Sequence, residues 1–322
     1  KNLYFIFTDV NPPTLPVLVI ACDRITVKRC IDSLIKYRPD TDIFPIIISQ
    51  DCGHNETYEA LKEYTVDPSI TIVRQPDLSE IPLMKQMVKF RGYYKIARHF
   101  KFALNHVLDT LGCISAWNDN GKKNLIDRSR PELLHRTDFF PGLGWMLEKE
   151  TWLRLRENWP PAFFDDWLRV PININGKSCI RPEISRTYSF GKVGVSKGLF
   201  FDLHLKYIQL NIDPVDFTKL DLSYLLKGNY DINLKRTIES VRFMSAEEIM
   251  SSAMVENPEP VKVYYTNAKT FQRQAKKLGL MDDFRSGIPR TAYRGVVSCF
   301  IKGRRVYLVP NYNWSGYDPG WS

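Results

Sequence analysis

The chain has 322 residues, 44% hydrophobic and 25% charged, which excludes a disordered polymer and is long enough for two cores. Forty-five basic against 36 acidic residues leave a formal charge of +9. The basic residues are spread too evenly for a nucleic-acid stripe, and RNP-like, zinc-finger and basic-zipper patterns are absent, so a phosphate-bearing small molecule fits the charge as well as a nucleic acid does, and charge alone does not make nucleic acid the expected partner.

The opening KNLYFIFTDVNPPTLP has no apolar segment followed by a small-residue cleavage site, and no stretch reaches the roughly 20 apolar residues of a membrane span. A membrane tie is expected only through an anchor outside this sequence. LPVLVIACDR is a short apolar run ending in polar residues, as in a strand buried on both faces. Val27, Ile31, Leu34 and Ile35 then recur at helical spacing, and YRPDTD stops that helix before FPIIISQDCG, a second strand. NETYEALKEY and SITIVRQP repeat the pattern, so an α/β fold is predicted: an open, mainly parallel sheet with helices on both faces. Ligands of such sheets sit beyond the carboxyl ends of the strands. Here those ends carry Cys22, Asp23 and Arg24, then Asp51 and Cys52. A helix cap is the plainer role for Asp23, and a solvated first turn for Arg24. Cys22 and Cys52 close strands expected to be neighbours, within the roughly 4.4–6.8 Å Cα separation of a disulfide.

Residues 92–108, GYYKIARHFKFALNHVL, predict a helix with Ile96, Phe100, Ala103, Leu104 and Val107 on one face and Lys95, Arg98 and His99 on or beside the polar side. LGCISAWNDNG follows abruptly as a strand candidate. The glycine-rich turn of TDFFPGLGWMLEKETWLRL does not match a nucleotide-binding loop; its aromatics, with Trp152 and Leu155, are expected in the core. PPAFFDDWLR, residues 160–169, sets Asp165 and Asp166 among apolar neighbours. An unpaired buried carboxylate is costly, so the pair must reach an edge, a partner or a substrate, with helix capping as the plain alternative. Gly191, Gly194 and Gly198 make residues 191–198 a candidate closing loop. From about residue 259, PVKVYYTN, KTFQRQAKKLGL and AYRGVVSCFIKGRRVYLVP predict a strand, a helix and a hairpin turned at Lys302-Gly303, a small second α/β module. Six cysteines without a C-x-x-C pair argue against zinc, and the acceptor triplets at Asn55 and Asn313 lean toward a secretory lumen.

Taken in order, LPVLVIACDR, FPIIISQDCGH, GYYKIARH, SAWNDNGK, RTDFFPGLGWML, FDDWLR, IRPEISRTYSFG, GVSKGLFFD and GIPRTAYRGVV resemble the N-acetylglucosaminyltransferase I family over nearly the whole chain. The resemblance implies a GT-A nucleotide-sugar transferase fold at residues 1–204, a linker at 205–230 and a small C-terminal domain at 231–322. It implies a Golgi-lumenal, inverting transfer of GlcNAc from UDP-GlcNAc to the 2-hydroxyl of an α1,3-linked mannose of a glycoprotein N-glycan. Asp165 matches the family's catalytic base, with Asp166 supporting the loop. Cys22, Arg24, Asp51 and His99 match the nucleotide pocket, and Val195 and Ser196 the loop over the donor. Cys22–Cys52 and Cys113–Cys179 would be the family's disulfides, leaving Cys30 unpaired and Cys299 unassigned.

One block departs from the pattern. In the family, the helix equivalent to residues 92–108 leads to a buried strand ending in an acidic Glu-Asp-Asp motif that binds manganese. Here Leu108 runs almost at once into DTLGCISAWNDNG, a few dozen residues short. Mn²⁺ is implied by the family, but neither Asp109, which has no acidic neighbour, nor Asp119 is assigned as its ligand. The alternative expectation is therefore a catalytically impaired relative that binds nucleotide sugar, glycan or a partner.

Overall fold

A computed structural model describes residues 14–107, 114–254 and 258–321. The junction at Leu108–Leu111, with Asp109 and Cys113, lies outside the described residues. The chain falls into two compact units, one of Lys1–Gly112 with Leu147–Phe164 and the other of Cys113–Met146 with Asp165–Ser322.

In the first unit, β1 (Val17–Ala21), β2 (Ile46–Gln50) and β3 (Ile70–Arg74) form a parallel sheet in that order. Val17 stands opposite Ile46, and Ile46 opposite Ile70. The connecting helices are α1 (Lys28–Tyr37) and α2 (Asn55–Lys62). The apolar strands and the α1 stripe meet in one core of Val19, Ala21, Ile31, Ile46, Ile48, Leu61, Tyr64 and Ile70. At roughly 25 cal/mol per Å² of apolar surface, this burial is what holds strands of only five residues. Ile35, expected on that stripe, is substantially exposed. The helix α3 (Arg91–Val107) buries Ala97, Ala103 and Leu104.

The strand candidate after α3 is short. β4 (Ile114–Ser115) belongs to a mixed sheet of order β5-β7-β4-β6, with β5 at Leu134–Thr137, β6 at Trp145–Met146 and β7 at Cys179–Pro182. β4 and β7 are parallel, while β5–β7 and β4–β6 are antiparallel. In the turn before β6, Gly144 has φ 63°, and an added Cβ would stand 2.5 Å from the Thr187 methyl, so the glycine is required. Trp152 and Leu155 of α4 (Lys149–Leu155) are buried as expected, as are Phe139 and Phe140. Two short helices follow, α5 (Phe164–Leu168) and α6 (Pro171–Ile174).

The C-terminal part carries α7 (Lys227–Ser240), β8 (Arg242–Phe243), α8 (Ala246–Ser251), β9 (Val261–Tyr265), α9 (Ala268–Leu278), a two-stranded piece of β10 (Phe284–Arg285) and β11 (Ile288–Pro289), and β12 (Val297–Ile301) with β13 (Arg304–Pro310). The expected hairpin is β12–β13; Lys302 (φ 50°) and Gly303 (φ 83°) are both left-handed, as a tight hairpin turn requires. β13 also pairs in parallel with β9, and β9 with β8. α9 opens on a capping box of Asn267 with Thr270 and closes at Gly279 in the left-handed region. Leu125 and Phe139 enter the same core as Phe271, Phe284 and Val306, which ties the C-terminal sheet to earlier segments of its unit. Among the described residues, no helix is long and apolar enough to cross a membrane.

Candidate active site

In the first unit, Cys22 and Cys52 follow the ends of β1 and β2 and are joined in a disulfide with a Cα separation of 5.4 Å. The Asp51 N–H donates to Ala21 O at 2.7 Å, extending the sheet one residue past β2. Gln50 Nε2 donates to Cys22 O and to His54 O, further tying this corner together. His99 reaches the corner from α3. It is 1% exposed, and its Nε2–H donates to Ser49 O at 3.2 Å. Burial lowers the His99 pKa, against the pull of the Asp51 carboxylate. The neutral ring therefore keeps Nδ1 as an acceptor, and Nδ1 has no partner among the described residues. Ser49 Oγ and Gln50 Oε1 are also buried without partners. Three orphaned polar atoms at the carboxyl end of one strand are unusual in a packed interior, where such groups are nearly always satisfied. Arg24 is exposed at the start of a short turn and makes only a loose 3.8 Å ion pair with Asp23.

In the second unit, Asp165 and Asp166 lie in the first turn of α5. Arg169 Nη1 donates to Asp165 Oδ2 at 2.9 Å and to Asp166 Oδ1 at 2.8 Å. Arg169 is itself buried; its Nε donates to Phe140 O at 3.2 Å, and its guanidinium lies 4.8 Å from the Phe139 ring centroid. A fixed cation thus holds both carboxylates. The Asp165 side chain is 40% exposed, so it is held and still reachable from solvent. Asp166 also meets Arg285 at 3.1 Å, and from there charges alternate through Asp283 and Arg290 to buried Asp119. Asp119 is thereby committed to Arg290 at 2.7 Å. Val195 and Ser196 are exposed within consecutive turns in which Lys197 N–H donates to Gly194 O and Leu199 N–H to Ser196 O. Arg169 stands four residues from Asp165, a helical spacing legible in the sequence that the motif FDDWLR did not single out. Arg285, distant along the chain, gave no local signal.

With this geometry in view, the profile of the GNT-I family matches residues 6–112 and 108–321, nearly the whole chain. The chain belongs to the GNT-I family. An alpha-1,3-mannosyl-glycoprotein 2-beta-N-acetylglucosaminyltransferase of Arabidopsis thaliana is 33% identical over 335 residues, covering 92% of this chain and 74% of the relative. The chain is thus a glycosyltransferase-family enzyme, which uses a sugar donor and a glycan acceptor.

The two matches to the GNT-I family meet at residues 108–112, where the sequence runs short. The 335 aligned positions also exceed 92% of 322 residues by a few dozen, so that many positions face no residue here. Among the described residues, no three His, Cys, Asp or Glu side chains gather as an all-protein cation cage would need. Of the family's two disulfides, Cys22–Cys52 is present; Cys179 is disulfide-bonded, and Cys113, its expected partner, lies outside the described residues. Cys30 and Cys299 are free.

Proposed function

We propose that this enzyme transfers GlcNAc from UDP-GlcNAc, with inversion, to the 2-hydroxyl of an α1,3-linked mannose of an N-glycan in the Golgi lumen, on a GT-A fold. The observation that carries the reading is Asp165, a carboxylate clamped by a buried arginine yet open to solvent. Asp165 takes the proton of the acceptor hydroxyl as its oxygen bonds to the sugar anomeric carbon, and UDP leaves from the opposite face. Asp51 and the bare Nδ1 of His99 accept from hydroxyl or imide groups of the nucleotide, and Arg24 supplies charge to its phosphates. Val195 and Ser196 order over the bound donor, and the Cys22–Cys52 bridge pins the strand ends. Manganese dependence is an expectation from the family.

Asp165→Asn keeps the shape and removes the base. Transfer to a high-mannose acceptor should fall by about 10²–10⁴-fold with UDP affinity retained; undiminished turnover would refute the assignment. The missing acidic segment favours a second reading, a nucleotide-sugar or glycan binder without turnover. A transfer assay with UDP-GlcNAc and a high-mannose acceptor, with and without Mn²⁺, separates the two, since turnover contradicts the non-catalytic reading.

A further inference from the structure

A cavity of about 210 Å³ lies within the second unit, under α7. Tyr230, Asn233, Leu234 and Thr237 form its roof at offsets of three, four and seven along the helix, a single helical face. No residue of α7 is fully buried, so the helix spans the cavity in place of plugging a core. Three arginines line the other side: Arg136, Arg181 and Arg305. Among the described residues, only Arg305 of the three makes an ion pair. Arg305 pairs with Glu183 at 3.0 Å, and Glu183 is fully used, since it also accepts from the Asp127 N–H at 2.7 Å and from His135 Nε2 at 2.7 Å.

Arg136 and Arg181 make no ion pair with any described carboxylate. Arg181 is 2% exposed and donates only to Pro182 O at 3.2 Å; Arg136 donates to Leu225 O at 2.9 Å. The Nε of each is buried without a partner. A guanidinium withdrawn from water without a counter-ion is strongly disfavoured unless an anion or ordered water completes its fork. Arg181 is such a group, Arg136 beside it is half-buried with its guanidinium 5.4 Å from the Tyr293 ring centroid, and Ser298, Tyr230 and Tyr307 offer hydroxyl donors.

We propose that this cavity binds a small oxyanion, of the class of inorganic phosphate, sulfate or a short carboxylate, with Arg181 and Arg136 as its charge partners. It is smaller than the roughly 300–1,000 Å³ of ordinary small-molecule sites, which excludes a nucleotide. The site is separate from the residues proposed above for donor and acceptor, and it does not depend on that reading.

Calorimetry with inorganic phosphate on the whole chain, with and without saturating UDP, should show one saturable site that UDP does not displace. Arg181→Gln and Arg136→Gln should each weaken it by about tenfold or more, the loss of a charge-assisted contact. Displacement by UDP, or affinity unchanged in both variants, overturns the proposal. Crystals soaked in selenate give an answer that needs no variant to fold: an anomalous peak within hydrogen-bonding reach of Arg181 supports it, and peaks only elsewhere, an adventitious ion only, sink it.

Discussion

Arg290 and Arg181 are both buried arginines of the second unit, and their surroundings are opposite. Arg290 is gripped on two sides, by Asp119 at 2.7 Å and by Asp283 at 2.9 Å. Burial alone would lower its pKa, and the two carboxylates more than reverse that. Arg181 has a carbonyl, a cavity and a pKa lowered chiefly by burial, against the pull of Glu183 and Asp119. Burial therefore says little about an arginine's role. Where the charge is matched within the protein, the residue is a strut of the fold; where it is not, a ligand is the natural complement.

Mutation tests this contrast most sharply at the matched site. Arg290→Met strands buried Asp119 beside Asp283 and should cost about 3–5 kcal/mol in urea unfolding. A loss below about 1 kcal/mol would show that the alternating charges are not a strut.

The next effect is a pH dependence. Burial, reinforced by Arg181, pushes the His135 pKa down to about 4 from an ordinary 6.5, against the pull of Glu183. Between those values the unfolded chain takes a proton that the folded ring refuses. Stability should thus be fully present above pH 6.5 and fall by roughly 2–3 kcal/mol as pH drops toward 4. Glu183 works in the same direction but lower: burial would raise it, yet His135 and Arg305 hold it below the usual carboxylate range. Denaturation series at pH 4.5, 5.5 and 7 should show the slope flattened in His135→Gln; an unaltered slope assigns the acid lability to another group.

Arg169→Lys keeps the charge at the matched pair Asp165–Asp166 and loses the planar fork. We expect transfer to slow by about ten- to a hundredfold, with UDP affinity unchanged, because a carboxylate displaced by about 1 Å is a poor base. A change in UDP affinity alone would exclude positioning as its role. The smallest effect belongs to the unmatched residue. In buffer free of oxyanions, Arg181→Met should leave stability within about 1 kcal/mol of wild type or raise it, since no internal partner is abandoned. A loss of about 3 kcal/mol or more would reveal a structural partner and undo the comparison.

Much of the scaffold was legible in the chain. The apolar runs at 17–21, 46–50 and 70–74 with an amphipathic helix after the first became the parallel sheet, because strands buried on both faces have little choice of composition. The hairpin at Lys302-Gly303 was equally visible in its turn residues. α7 was not. It buries no residue fully, so it has no apolar stripe to read, and its face toward the cavity is mostly polar. At the site, the Cys22–Cys52 bridge followed from two adjacent strand ends, and the Asp165–Asp166 pair stood out among apolar neighbours, while the resemblance alone chose Asp165 as the base. The hold of Arg285 on Asp166 and the orphaned atoms around His99 had no sequence signature, since both depend on which segments burial brings side by side.

Local pattern determined the elements of this protein, the parallel order of its first sheet and its family, because periodicity, turn residues and long ordered motifs are properties of neighbouring positions. Tertiary structure alone decided which charges are matched. Arg290 finds Asp119, Arg285 finds Asp166 and Arg181 makes no ion pair with any described carboxylate, and electrostatic pairing over a few ångströms depends on spatial neighbours that chain separation does not encode.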